Sequence, residues 1–228
     1  MRIDAKSVHP LILQHLMSLF MMGLFITVIF STASAGKSLP AQSTARAAET
    51  KQVAFGKAMR KLWEDHITWT RLFLVSAAAN LPDQGPTTDR LLQNQVDIGN
   101  AIKPYYGDAA GEKLMALLKV HITTAAELVA AAKMNDTAKM QEANRRWVAN
   151  ADEIAAFLST VNPKNWPNAD MQQMMHDHLN LTTAEVQARL TGDWSADIAA
   201  YDKVHEQILH MADMLSAGII NQFPNQFR

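Results

Sequence analysis

Residues 51–81 read KQVAFGKAMRKLWEDHITWTRLFLVSAAANL, and this stretch decides the fold class. Its apolar side chains recur every three to four residues, which is the spacing of side chains along one face of an α-helix. The pattern stops at Pro82, because proline lacks the N–H group that would continue the helix. The stretch therefore predicts a long amphipathic helix whose apolar face packs against other helices.

The rest of the chain repeats this pattern between short breaks. Four further long helices are predicted, over residues 108–134, 136–160, 168–190 and 195–222. A shorter helix is predicted over 89–102, after a loop at 82–88 (PDQGPTT), and it ends before Pro104 because a residue that precedes proline avoids the helical region. Residues 51–228 are thus expected to form an all-α, up-and-down antiparallel helical bundle of four to five long helices plus one short helix.

Composition narrows the functional classes. The 228 residues carry a formal net charge of −1, so no basic field is available to attract nucleic acid, and no nucleic-acid partner is expected. There is no cysteine, which excludes disulfides, thiolate metal sites and cysteine nucleophiles. The sequence also lacks a phosphate-binding loop and a dinucleotide fingerprint.

The N-terminus has the features of an export signal. Arg2 and Lys6 precede residues 16–30 (LMSLFMMGLFITVIF), which carry no charge, and Ala33 and Ala35 then supply a small-residue cleavage pattern. A positive start, a short apolar run and such a pattern are typical of a secretory signal peptide. We expect the first 35 residues to direct the chain into the periplasm or out of the cell.

An uncleaved anchor is the alternative for the same segment. Residues 11–30 are long enough to span a bilayer, although Gln14 and His15 interrupt them, so a tether to the cytoplasmic membrane stays possible. Residues 36–50 (GKSLPAQSTARAAET) are small and polar, and we expect them to form a flexible tether before the bundle.

Four predicted helices each carry one histidine near the middle of an apolar face. These residues are His66, His121, His178 and His205. In an antiparallel bundle of helices of similar length the midpoints lie at one level, so the four imidazoles are expected to meet in one layer of the core. The 136–160 helix has Asn150 on its apolar face instead of a histidine.

Three interpretations of this layer stay open. A transition metal ion such as zinc, copper or iron would use imidazole ligands from facing helices. Neutral histidines could instead form a structural hydrogen-bond network in a non-enzymatic interaction module, since a buried polar group needs a partner. Non-covalent haem or another cofactor is the third alternative. The hypothesis that the protein is an enzyme is less favoured, because four protein imidazoles leave zinc without an open coordination position.

Polar neighbours of the histidines are candidates to orient the rings. They are Thr70, Asn150, Thr182, Tyr201 and Asp202.

A second cluster, of methionine and histidine residues, suggests copper(I) as an alternative metal, because thioether and imidazole ligands together suit that ion. It comprises Met171, Met174, Met175, His176, His210, Met211 and Met214. Methionine at helical spacing is, however, common as core packing.

Residues 59–224 resemble a family of bacterial all-helical proteins. The resemblance is carried by LWEDHITWTRLFLVSAAANLPD, IKPYYG, NRRWVANADEIAAFL, HLNLTTAEV and DIAAYDKVHEQILHMADMLSAGI. It implies that these stretches belong to one helical unit, and it implies no chemistry. Similar sequences sometimes carry names such as glycosyltransferase or acetylglutamate kinase, but both activities need a nucleotide site that this sequence does not contain.

Overall fold

A computed structural model describes residues 50–228. The predicted signal peptide or anchor, and the tether up to residue 49, lie outside the described residues. Within 50–228 the chain forms six α-helices and a final 3₁₀ turn. Their bounds are α1 Lys51–Ala79, α2 Gln84–Tyr106, α3 Asp108–Lys133, α4 Thr137–Val161, α5 Asn168–Thr191 and α6 Trp194–Gln222, followed by Pro224–Phe227. The prediction of an all-α bundle is confirmed.

The six helices close into a ring. Each helix packs on its neighbours in the chain, and α6 packs back on α1. The helices α1, α3 and α5 also contact one another across the centre. Since consecutive helices run in opposite directions, these three inner helices run parallel. The bundle is therefore built from three successive helical hairpins, α1–α2, α3–α4 and α5–α6, around one axis.

Helix α2 is longer than its sequence pattern predicted. It begins at Gln84, inside the expected loop, and continues through Pro104 to Tyr106. A proline in the last turn forfeits one hydrogen bond of the helix. The turn is held by tertiary contacts, because the ring of Tyr105 packs 5.2 Å from that of Phe55 and 5.5 Å from that of Phe227, between ring centroids.

Local signals set several helix ends. The carboxylate of Asp136 accepts from the backbone N–H of Lys139 at the start of α4, as an N-cap should. Asn80 ends α1 in the left-handed conformation, and Gly192 does the same for α5. Short polar loops after these caps bring each even helix back antiparallel to the odd helix before it.

One described helix, α3, is long and apolar enough to cross a membrane by composition, but half of that stretch is buried inside the bundle. The inner position of α3 in the bundle explains its apolar character without a membrane, because an inner helix has neighbours on most sides.

Candidate functional site

Three of the four predicted histidines lie together on the axis. His66, His121 and His178 come from the three inner helices, and all are buried. The ring centroid of His178 is 6.0 Å from that of His66 and 6.3 Å from that of His121. These three imidazoles therefore lie at one level of the bundle.

His205 does not join this layer. It lies on α6, an outer helix, where its Nε2 is 3.0 Å from the Oε1 of Glu64 and its side chain is 36% exposed. The buried face of α6 is centred on Val204, Ile208 and Met211. His205 lies at the edge of this face, and Ile198, seven residues before it, is 58% exposed.

An amide side chain from each even helix meets the histidine of the odd helix before it. The pairs are His66 with Gln95, His121 with Asn150 and His178 with Gln207, and each pair is separated by 29 residues in the chain. The Nδ1 atoms lie 3.3, 3.1 and 3.1 Å from the amide atoms in that order. The site is thus a threefold repeat of one hairpin motif.

The amides of two repeats are fixed in orientation by the backbone. Asn150 donates from Nδ2 to the carbonyl of Leu117, and Gln207 donates from Nε2 to that of Met174. Each of these carbonyls belongs to the residue four before the paired histidine. Because the amide oxygen that remains can only accept, the Nδ1–H groups of the paired imidazoles must donate to it. The proton of these neutral rings therefore sits on Nδ1.

In the first repeat, two residues share the two contacts that a single amide makes in the other repeats, one to a backbone carbonyl and one to the imidazole. Asn94 donates to the carbonyl of Leu62, while Gln95 meets the ring of His66. The Nε2 of Gln95 also lies within hydrogen-bonding distance of the Leu91 carbonyl and of Asn94, and its Oε1 is buried without a partner. An NH₂ group has two hydrogens for these three acceptors, so His66 is the least firmly anchored ring.

The three imidazoles are held neutral. Burial lowers the pKa of His121 to about 3 and that of His178 to about 4, since a charged ring loses its hydration there. The pKa of His66 falls well below its usual value because of burial first, and then of repulsion by His178 and His121. Protonation of one imidazole would therefore make protonation of a neighbouring imidazole less favourable.

The remaining residues expected to orient the rings act differently. The hydroxyls of Thr70 and Thr182 donate to the backbone carbonyls of His66 and His178, at 2.8 and 2.9 Å, and not to the rings. Tyr201 packs beside the outlying His205, and Asp202 is exposed. Of these candidates only Asn150 contacts an imidazole of the layer.

The predicted methionine and histidine cluster is split between core and surface. Met171, Met174, Met175 and Met211 are buried in the main hydrophobic core. His176 lies at the surface, 2.9 Å from Asp152, and His210 is exposed. Within residues 50–228 no group of three or more His, Asp or Glu side chains stands in a geometry that would hold a metal ion.

The histidine layer divides the bundle into two unlike halves. Toward the start of the inner helices, the apolar side chains fill the centre and leave a void of about 20 Å³ beside the three rings. Toward the end of the inner helices a second apolar cluster packs around Phe73 and Leu91, and beside it lies a cavity of about 960 Å³ that opens to solvent. Residues one turn beyond each histidine, Thr70, Ala125 and Thr182, contribute to its walls, together with Trp147, whose ring packs 5.3 Å from that of His121.

The walls of this cavity are chiefly apolar. They include Phe73, Leu74, Leu128, Val129 and Val186. No carboxylate of the described residues lines it, and its two cationic wall residues are Lys133 and Arg189. The cavity lies within the range of about 300–1,000 Å³ that small-molecule sites occupy.

A buried ionic cluster lies beside the cavity and was not recognised in the sequence. Arg71 of α1 makes a two-point contact with Asp197 and also donates to Glu185 at 2.9 Å. Arg189 reaches the same Asp197 at 3.2 Å and stacks on Trp194. Burial raises the pKa of Glu185, and the neighbouring Arg71 opposes that rise. The cluster links α1, α5 and α6, and its carboxylates compensate the positive charge of Arg189.

No protein-family model, curated protein or solved structure matches this chain. The resemblance to bacterial all-helical proteins and the expected export therefore stay predictions, and the functional argument depends on the geometry of the described residues.

Proposed function

We propose that the protein is a non-enzymatic binding module that holds a small apolar molecule in the 960 Å³ cavity, with the neutral histidine network one helical turn beneath its floor of Thr70, Ala125 and Thr182. The observation that carries this proposal is the contrast between the two halves of the bundle. Interiors of proteins are normally filled to the density of organic crystals. A large cavity open to solvent in one half, beside a tightly packed other half of the same bundle, is suited to receiving a ligand.

The histidine layer supports the proposal by separating the halves. Each ring spans from an inner helix to an amide on an outer helix, so the layer ties all six helices at one level. Neutral rings add no charge next to the cavity, and the ligand that such a floor favours is apolar. This proposal takes up the structural-network interpretation of the histidines.

Titration with the neutral fluorescent probe N-phenyl-1-naphthylamine tests the proposal. The wild-type protein is expected to bind it saturably. Ala125→Phe, which fills the cavity from α3, should weaken binding at least tenfold, while Ala130→Phe on the exposed side of the same helix should not. Melting curves recorded by circular dichroism establish that both variants are folded, and Ala132→Phe provides a second cavity-filling variant. A wild-type protein that takes up no probe, or folded cavity-filled variants that bind it as well as wild type, would refute the proposal.

A transition metal at the histidine layer is a second candidate function. It is favoured by one observation, that His66, His121 and His178 line the same void of about 20 Å³, while the Nδ1 atoms of His121 and His178 are held by amide oxygens. Metal-ligating histidines typically use one ring nitrogen for the metal and the other for such a partner. A zinc–nitrogen distance of about 2.1 Å would place ring centroids about 5 Å apart, so the rings would have to approach by about 1 Å.

Elemental analysis of untagged protein tests this second candidate. Metal binding predicts about one equivalent of zinc, copper or iron, a melting temperature that falls when a chelator strips it, and loss of metal in His121→Gln. His205→Gln is the matched control, because that ring lies outside the layer. Metal-free protein whose melting temperature ignores both added metal and chelator would eliminate the candidate. The haem alternative stays a prediction.

A further inference from the structure

The mouth of the cavity carries a cation that no acid of the described chain neutralises. Lys133, in the last turn of α3, lines the cavity, and its Nζ donates to the carbonyl of Ala77 and to the side-chain oxygen of Asn80. Both acceptors are uncharged. Within residues 50–228 no carboxylate lies within ion-pair distance of this ammonium group. Two of its three hydrogens are used, which leaves one for a ligand.

The second cation of the walls is already engaged. Arg189 donates to the buried Asp197 and stacks on Trp194, with 4.9 Å between the guanidinium carbon and the ring centroid. The positive charge of Arg189 is therefore compensated within the ionic cluster. Lys133 is the cation of this cavity that offers an anion an uncompensated charge, and Ala77 and Asn80 hold that ammonium group at the end of α1.

Exposed apolar side chains surround the same end of the bundle. Leu81, Met134 and Trp194 are 40%, 63% and 58% exposed, and they follow or begin the helices that end there. Of these three side chains, that of Trp194 lines the cavity itself. An uncompensated cation at the mouth and chiefly apolar walls match the parts of an amphiphile with an anionic head.

We propose that the cavity binds a medium-chain carboxylate amphiphile, with its head at Lys133 and its tail directed down toward the histidine layer. This inference rests on the proposed function of the cavity. From Ala125 near the floor to Lys133 at the mouth is eight residues of α3, or about 12 Å at 1.5 Å per residue. An extended chain advances about 1.2 Å per bond, so a tail of about ten carbons fits this depth.

Competition for bound N-phenyl-1-naphthylamine tests this inference with three ten-carbon compounds. They are decanoate, decanol and decyltrimethylammonium, which differ in the charge of the head. Wild-type protein is expected to bind decanoate at least tenfold more tightly than decanol, and decyltrimethylammonium most weakly. A charge-assisted hydrogen bond in a partly buried site supports a preference of this size.

Variants of the lysine identify the head-group site. Lys133→Met should weaken decanoate about tenfold and leave decanol unchanged, because the methionine keeps the apolar stem and removes the charge. Lys113→Met, at an exposed position near the other end of α3, should alter neither affinity. Equal displacement by decanoate and decanol, or an unchanged decanoate affinity in Lys133→Met, would overturn the carboxylate assignment while the apolar-binding proposal stands. A protein that takes up neither the probe nor any of the three compounds would overturn both.

Discussion

Acidification from pH 7 to pH 5 is expected to destabilise the metal-free protein through its buried histidines. An unfolded chain protonates its histidines at about pH 6.5, whereas the folded rings of His121 and His178 resist protonation until about pH 3 and about pH 4. The unfolded state therefore binds more protons in this window. Stability from the neutral rings is fully present above pH 6.5, and it is lost as the pH falls toward the folded-state pKa values.

The size of the effect follows from these pKa values. Protonation of one histidine in the unfolded state alone lowers the free energy of unfolding by about 1.8 kcal/mol between pH 7 and pH 5. His121 and His178 together give about 3.6 kcal/mol, and His66 adds to the loss in the same direction. Domains of this size are stable by about 5–15 kcal/mol. The loss should therefore be a large fraction of the total.

Urea unfolding at several pH values between 7 and 5, followed by circular dichroism after treatment with a chelator, measures this loss. Carboxylates of ordinary pKa stay ionised over most of the window, so histidines dominate it. In His121→Gln the change between pH 7 and pH 5 should shrink by about 1.8 kcal/mol. The exposed His210→Gln should retain the wild-type change. A wild-type change below about 1 kcal/mol, or an undiminished one in His121→Gln, would show that the rings are not held neutral.

Two further predictions concern packing and charge, and urea unfolding measures both. Arg71→Met should cost about 3 kcal/mol, because it leaves buried carboxylates without their main partner, and Arg145→Met at the surface should change little; equal effects would refute the buried cluster. Gly218→Ala should cost about 1–3 kcal/mol, since an added Cβ would stand 2.0 Å from Nε1 of Trp166. Gly56→Ala, which meets no atom within 4 Å, should instead stabilise α1 by up to about 1 kcal/mol, and a loss there would contradict the helix assignment.

The register of the inner histidines was readable from the sequence because it depends on local periodicity. A histidine that falls at the middle of an apolar stripe on a helix of known length has a defined height and a defined face. His66, His121 and His178 satisfy both conditions. Asn150 was recognised for the same reason, as a polar residue on an apolar face.

Two partners of the rings were missed although a signal was present. Gln95 and Gln207 follow their histidines by the same 29 residues that separate His121 from Asn150. This spacing is a property of the hairpin, since it measures the distance up one helix, across a loop and back down the next. It would have identified both glutamines as partners of the rings.

The sequence by itself determined the helices, most of their ends, and the level at which the histidines stand, because these follow from periodicity, proline and capping residues along a few turns of chain. Only the tertiary structure decided that six helices close into a ring with α1, α3 and α5 inside, and that His205 faces outward. Only it revealed the large cavity at one end of the bundle. Those outcomes depend on how residues far apart in the chain fill the space between helices, and a pattern along one helix carries no measure of that space.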